Sequence, residues 1–505
     1  MNIAKNLENA AFYFPDRPAV IEGDQKISFL EFNQESNRIA TALTGMGIQP
    51  GDHVALCAPN SYQWLTFYFG VLKAGAVAVT LSNILKKDEL TRIMDDARPK
   101  ILFTIDERLD ELSDRKNRPY LETIISTQGD VPYQRLVENG SSSYKAIDLE
   151  RKSTGAILYT GGTTGIPKGV MLTHENVNTS IHNVSHYERS TNEDCGLCFL
   201  PLNHVFGQVH IMNSTIYTGG SIVLQPCFDL EKVIDTIERN HVTKFYAVPT
   251  IYIRLLALEN LKEKLRSLRY CFSAAASMAA ELVREWKSRT GLDIYESYGM
   301  TESATMVTYN HYYRHMVGSV GTPVSTIEVQ IRDKEGNLLG PGSEGEICIR
   351  GPNIMMGYLN RPDETRSVFW DEWFRSGDIG VIDENGYLFI VDRLKDMIIT
   401  GGENVYPREI EEVLYSRPEV VECAVIGLPD KEYGERVMAF IIPKKGQKLD
   451  PVELKSYLKK RLSPFKVPKE FISVLELPKS STGKILKREL KRQVLDKNPC
   501  SNPSP

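Results

Sequence analysis

Between residues 28 and 104 the apolar residues switch repeatedly between helical and strand spacing, and this alternation constrains the fold more than any other feature. FLEFNQESNRIATALTGMG places apolar side chains at helical intervals, and HVALCAP follows as a short buried run. YQWLTFYFGVLKAG is helical again, AVAVTLS reads as a strand, and KKDELTRIMDDARPKILFTI repeats helix then strand. The same rhythm returns across 196–273, through GLCFLPL, SIVLQP, DLEKVIDTIERN, KFYAVP and LRYCFSAAA. Strands alternating with helices imply βαβ units and mostly parallel sheets, so the expected class is α/β with two related layers.

From about 318 the texture changes to short β segments, IEVQIRD, GEICIRG and GYLFIVD, separated by Gly, Asn and Pro turns. A small β-rich subdomain is expected there. After Asp392 the pattern is mixed, with PREIEEVLYSRP and PVELKSYLKKRL as helices and VECAVIGLPD and RVMAFIIPK as strands. The expected division is an N-terminal domain over 1–392 and a small, mobile α+β C-terminal domain over 393–505. The C-terminal part is more basic than acidic although the whole chain carries a net charge of -5. Such a domain suits closure over polyanions. The tail CSNPSP is expected to be disordered.

The acidic balance gives no reason to expect nucleic acid as a ligand. No run of 18 uninterrupted apolar residues marks a membrane span, which leaves peripheral membrane contact open. The opening MNIAKNLENAAFYFPDRPAV is broken by charges and prolines and does not read as a secretory signal. The eight cysteines lie in apolar segments, as reduced core residues of a cytoplasmic protein would. Cys195 and Cys198 have CxxC spacing with no second pair, so they are not expected to bind metal.

One segment carries chemistry on its face. Residues 159–169 read YTGGTTGIPKG, with TGAILYT before and GVMLTH after, both strand-like. A Walker loop runs into a helix and uses the helix N-terminus to hold phosphate; a strand follows here, so a P-loop NTPase is excluded. Glycines can turn successive N–H groups inward as an anion nest, while threonine hydroxyls and Lys168 add donors and charge. A plain Gly/Thr hairpin satisfies the same residues, and both readings stay open on the loop alone.

The loop resembles the signature of the adenylate-forming superfamily, and further segments match that family's motifs in order. They are LPLNHVFG (200–207), SAAASM (273–278), ESYGMTES (296–303), WFRSGDIG (373–380), YLFIVDRLKDMIITGGENVYPREIE (387–411) and PKSSTGKILKREL (478–490). The resemblance is to the acyl-CoA synthetase and fatty-acid–CoA ligase branch. It implies a carboxylic acid activated by ATP as acyl-AMP with release of pyrophosphate, Mg2+ as cofactor, then transfer of the acyl group to coenzyme A.

On that resemblance, Thr160, Gly161, Gly162, Thr163, Thr164, Gly165 and Lys168 hold phosphates, and Thr163 and Glu302 hold the metal. Thr301 lies beside the α-phosphate, Ala275, Ala276, Tyr298 and Gly299 frame the adenine, and Asp378 and Arg393 bind the ribose. Ser277 stands where the family often has proline. His204 is expected beside the substrate carboxylate, and Lys484 is the leading catalytic candidate, reaching the α-phosphate only if the C-terminal domain folds over the site. Lys395 takes the hinge position, and Gly401, Gly402 and Glu403 are expected to swing in for the thiol step, Gly402 leaving room for pantetheine.

The implied acyl pocket carries His204, Phe206, Val209, Val248, Ala274, Met300 and Met306. No aspartate is placed to clamp an amine, so an uncharged tail is favoured, a medium- or long-chain fatty acid first and an aryl or alicyclic acid as the alternative. A carrier-protein phosphopantetheine is the alternative acceptor. A non-catalytic nucleotide binder is disfavoured by the joint presence of Glu302, Asp378, Arg393 and Lys484. Oligomeric state is not legible.

Overall fold

The computed structural model describes residues 1–497 except 113, 115, 161–166, 277, 448, 481 and 482. Its large N-terminal part is built on two seven-stranded sheets. Across the first sheet the order is Gly357–Tyr358, Lys168–Thr173, Thr154–Thr160, Val77–Thr80, His53–Cys57, Ile101–Thr104 and Thr123–Ile125. Its strands from Thr154–Thr160 to Thr123–Ile125 run parallel, and the two at the other edge pair antiparallel.

The second sheet runs Ile294–Glu296, Tyr270–Ser273, Lys244–Ala247, Cys195–Cys198, Ser221–Leu224, Pro18–Glu22 and Gln25–Ser28, parallel except for the last pair. The two expected α/β layers are thus present. Tyr62–Lys73 is apolar all round, and every residue from Trp64 to Lys73 is buried. Lys73 closes that helix with its ammonium 2.8 Å from Glu8 Oε1, so its buried charge is paired. The preceding helix, Phe29–Gly45, begins at a capping box in which Ser28 and Glu31 bond each other's backbone N–H.

The stretch between Leu202 and Ser221 contains a π-helix over Phe206–Asn213, followed by the α-helix Ser214–Thr218. Turns closed by i→i+5 hydrogen bonds are found frequently at functional sites. A Cβ on Gly207 would stand 2.4 Å from the Pro201 carbonyl oxygen, so only glycine lets the helix start this close to the preceding loop.

The β-rich subdomain is a five-stranded antiparallel sheet of Glu328–Arg332, Gly345–Arg350, Trp373–Ile382 and Phe369–Trp370, with Leu388–Arg393 also on Trp373–Ile382. The small C-terminal domain has its own five-stranded sheet, centred on Val420–Asp430 and Gly434–Pro443, and its own core around Ile398, Val405, Ile410, Leu414 and Val437. Helices Pro407–Tyr415, Pro451–Lys459 and Lys487–Lys497 cover it. Among the described residues no helix is long and apolar enough to cross a membrane. The seven described cysteines are free.

Candidate active site

Three elements converge on Asp378. It faces Arg393 across the ladder between Trp373–Ile382 and Leu388–Arg393, and Arg393 Nε lies 3.3 Å from its Oδ1. From the loop after Ile294–Glu296, the Tyr298 hydroxyl donates to Asp378 Oδ2 at 2.7 Å. The carboxylate is 6% exposed, so both partners are needed to hold its charge there. Gly299 follows Tyr298 because a Cβ there would sit 1.7 Å from the Thr305 carbonyl oxygen.

Lys484 reaches the same place from the C-terminal domain. Lys479 and Ile485 form an antiparallel bridge, and the backbone N–H of Ser480 donates to the Lys484 carbonyl at 2.8 Å. The hairpin therefore presents Lys484 near its tip. Gly483 has φ +84°, and a Cβ on it would stand 3.1 Å from Val248 Cγ2, so the hairpin is seated against the N-terminal domain. Burial and the nearby Arg393 guanidinium lower the Lys484 ammonium to about 7, with Asp378 opposing. The domains also meet where Arg408 donates its backbone N–H to Asp392 Oδ2 at 2.8 Å. Burial pushes the Glu296 carboxyl up to about 8, with Arg408 opposing.

His204 lies close enough to feel this lysine. Burial first, then the Lys484 charge, lowers its ring to about 4, so it is neutral at pH 7. Its Nδ1 accepts the Phe206 backbone N–H at 3.2 Å, which places the remaining proton on Nε2 as a free donor.

Around the phosphate loop, Lys168 pairs with Thr160 at the near ends of the two flanking strands. Its ammonium makes an ion pair with Glu364 and stands 5.0 Å from the Tyr358 ring centre. The Tyr358 hydroxyl donates to Glu302 Oε1 at 3.0 Å. Burial raises the Glu302 carboxyl despite that bond and the Arg393 charge. Thr301, beside it, is 8% exposed. Gly161, Gly162, Thr163, Thr164 and Gly165 lie outside the described residues.

The expected pocket residues Phe206, Val209, Val248 and Met306 are buried, and Ala274, Ala275, Ala276 and Met300 are half-buried, with Ala275 in the left-handed region at φ +68°. Lys395 is exposed, though its ammonium is lowered by partial burial and by Arg393. Gly401, Gly402 and Glu403 are exposed; Gly401–Gly402 is the two-residue turn joining Ile398–Thr400 to Glu403–Val405, and a Cβ on Gly402 would meet nothing within 4 Å. The structure therefore gathers Lys484, Asp378, Arg393, Tyr298 and His204, and leaves residues 401–403 exposed.

Sequence reasoning missed Tyr358, Glu364 and the buried pair Glu188 and His210. Tyr358 and Glu364 sit in MMGYLNRPDET, where Pro362 opening the helix Pro362–Ser367 was a usable helix-start signal. Glu188 and His210 had no signal, being a lone acid and a lone histidine.

A family model described as AMP-binding enzyme matches residues 7–359, and one described as AMP-binding enzyme C-terminal domain matches 409–484. The chain is 34% identical to a long-chain-fatty-acid–CoA ligase of Bacillus subtilis, over 96% of this chain and 93% of that one. It is 35% identical to a feruloyl-CoA synthase of an Amycolatopsis species, over 95% and 96%. It superposes on ATP-bound MatB from Rhodopseudomonas palustris with a TM-score of 0.92 and 35% identity, covering 98% of this chain and 99% of that one, against 0.81 for the apo form.

The chain belongs to the AMP-binding enzyme family, the adenylate-forming superfamily of acyl- and aryl-CoA ligases. It is an AMP-forming acid–thiol ligase with ATP and coenzyme A as substrates.

Proposed function

We propose that this enzyme activates an organic acid with no charge beyond its carboxylate, holding that carboxylate between His204 and Lys484 while ATP lies along Tyr298, Asp378, Arg393 and Lys168. The observation that carries this is the seating of the Lys484 hairpin against Val248, beside His204, Asp378 and Arg393. A carboxylate oxygen attacks the α-phosphorus, the bond to pyrophosphate breaks, and acyl-AMP remains.

Negative charge grows on the α-phosphate oxygens as that bond forms. Protonated Lys484 is aimed there, and Arg393 adds a fixed charge at the ribose side. His204, neutral, donates from Nε2 to the acid without competing for the phosphate. Asp378 accepts the ribose hydroxyls, oriented by Tyr298 and Arg393. Lys168 exchanges Glu364 for the β- and γ-phosphates.

Glu302 fits Mg2+ as a hard carboxylate oxygen beside the Thr301 hydroxyl, and Tyr358 fixes one of its oxygens. Among the described residues no cluster of three acidic, His or Cys side chains forms a closed cage, which suits an ion shared with phosphates. Mg2+ held there would neutralise phosphate charge.

The acceptor is coenzyme A, whose sulfur attacks the acyl carbonyl and expels AMP. We place the entry of its arm in the space that the Lys484 hairpin fills against Val248. The C-terminal domain, from 393 onward, therefore turns about Lys395 and brings the Gly401–Gly402 hairpin to the site. The tail could be fatty or aryl on charge alone, and related enzymes named for long-chain fatty acids and for ferulic acid bracket both. A carboxylate panel scored first by pyrophosphate release and then by thioester formation tests the reading. Release without thioester, restored by a phosphopantetheinylated carrier protein, would move the acceptor to the carrier. No release with any acid would overturn the assignment.

A further inference from the structure

The walls behind His204 limit what can be bound. Phe206 and His210, on one face of the π-helix, pack against strands Lys244–Ala247 and Tyr270–Ser273. These strands are in register, with Lys244 opposite Tyr270 and Tyr246 opposite Phe272. Side chains on one face of a strand recur every second residue, about 7 Å apart. The row toward the mouth, continuing that face beyond the strands, carries the small Val248 and Ala274.

One row deeper the space is filled. The Phe272 ring lies 4.5 Å from His210 and 5.8 Å from Phe206, and Tyr246 lies 5.7 Å from His210. The next row is Lys244 under Tyr270, 5.1 Å apart.

A polar lock holds these rows. Glu188 is fully buried and accepts from His210 Nε2 at 2.6 Å and from the Tyr246 hydroxyl at 2.7 Å, with Lys244 Nζ at 3.4 Å. His210 Nδ1 is 3.2 Å from Thr305 Oγ1. Both ring nitrogens of His210 are thus occupied by the protein, and Glu188 has a donor at each oxygen. A side chain so held cannot swing aside for a long tail without leaving a buried carboxylate short of donors.

We propose that the Glu188–His210 lock, with Tyr246 and Phe272, is the floor of the acyl chamber and restricts this enzyme to compact acids, aryl or short-chain. This rests on the ligase reading above and narrows its substrate class. The helix limits the depth in the same sense: from Phe206 to His210 it advances only about 6 Å at a helical rise of about 1.5 Å per residue, so a tail that starts at His204 meets the His210 row within roughly 10 Å. Benzoic, cinnamic, hexanoic and octanoic acids fit that depth, and palmitic acid is far longer. Charge alone left a medium- or long-chain fatty acid first and an aryl acid second; the packed rows favour the compact acid.

The test is kcat/KM for pyrophosphate release with wild-type enzyme and acetic, hexanoic, octanoic, benzoic, cinnamic and palmitic acids. The expected result is a drop of about a hundredfold or more between the best compact acid and palmitic acid. Equal turnover of palmitic and compact acids overturns the floor while leaving the ligase reading intact; no release with any acid overturns the ligase reading itself. His210→Ala is expected to raise the palmitic-to-benzoic ratio at least tenfold, whereas Glu188→Gln, which keeps the volume, is expected to leave the length limit in place. A folded His210→Ala with an unchanged ratio contradicts the floor. Should that variant not fold, the wild-type ratio decides alone.

Discussion

Asp378 and Arg393 stand opposite each other on neighbouring antiparallel strands, their charged atoms 3.3 Å apart, with the Tyr298 hydroxyl on the other carboxylate oxygen. The ladder thus holds one carboxylate and one guanidinium side by side, where the proposed reading puts the ATP ribose. Asp378→Ala should raise KM for ATP at least tenfold and lower thermal stability, since each hydrogen bond to a charged group contributes about 1.5–3 kcal/mol. Asp378→Asn should lose less stability and a similar amount of ATP affinity. Steady-state kinetics with a melting curve checks both, and an unchanged KM would remove Asp378 from the ribose site.

The pH profile should report Lys484. With its ammonium lowered to about 7 in the free enzyme, it is cationic below that pH and neutral above it. Because kcat/KM follows the free enzyme's groups, its value for pyrophosphate release should fall as pH rises through about 7. Bound polyphosphate raises the lysine again, so kcat should persist to higher pH. Lys484→Arg should lack this limb, since guanidinium does not titrate there. A wild-type kcat/KM that stays flat from about pH 6 to 9 would contradict the role.

Tyr358 and Glu364 act through their neighbours. Tyr358→Phe removes the hydroxyl on Glu302 and should slow pyrophosphate release about tenfold while weakening its Mg2+ dependence. Glu364→Gln releases Lys168 from its ion pair and should lower KM for ATP with little change in kcat. Mg2+ and ATP titrations of the two variants distinguish positioning from general loss of structure, which would move kcat alone in both.

Gly402 has φ +86° at a hairpin tip whose neighbour Gly401 is also positive. Leucine there would strain the turn as well as fill space, whereas asparagine tolerates this backbone. Gly402→Asn should therefore retain pyrophosphate release and lose thioester formation, and Gly402→Leu should do so with added loss of stability. Product analysis of the two half-reactions checks this. Full thioester turnover in both folded variants would place the pantetheine channel elsewhere.

Much of this was legible because local periodicity encodes local structure. The helix–strand alternation over 28–104 yields one sheet, and its return over 196–273 yields the other. Motif residues Asp378, Arg393, His204 and Lys484 were likewise identifiable one by one. What periodicity cannot carry is pairing over long separation. Pro18–Glu22 joins the second sheet beside Ser221–Leu224, a partner decided by packing and not by its own residues. The π-helix FGQVHIMN is buried at every position, so no amphipathic stripe revealed its pitch. Tyr358 meets Glu302 across 56 residues and Glu188 meets His210 across 22, separations that no local pattern spans.

The most direct measurement is Lys484→Ala assayed in two halves: pyrophosphate release from ATP and acid, and thioester formation from pre-made acyl-AMP and coenzyme A. The first should fall about a hundred- to a thousandfold while the second stays within a few-fold of wild type. Undiminished pyrophosphate release from the folded variant would contradict the placement of this lysine at the reacting phosphate.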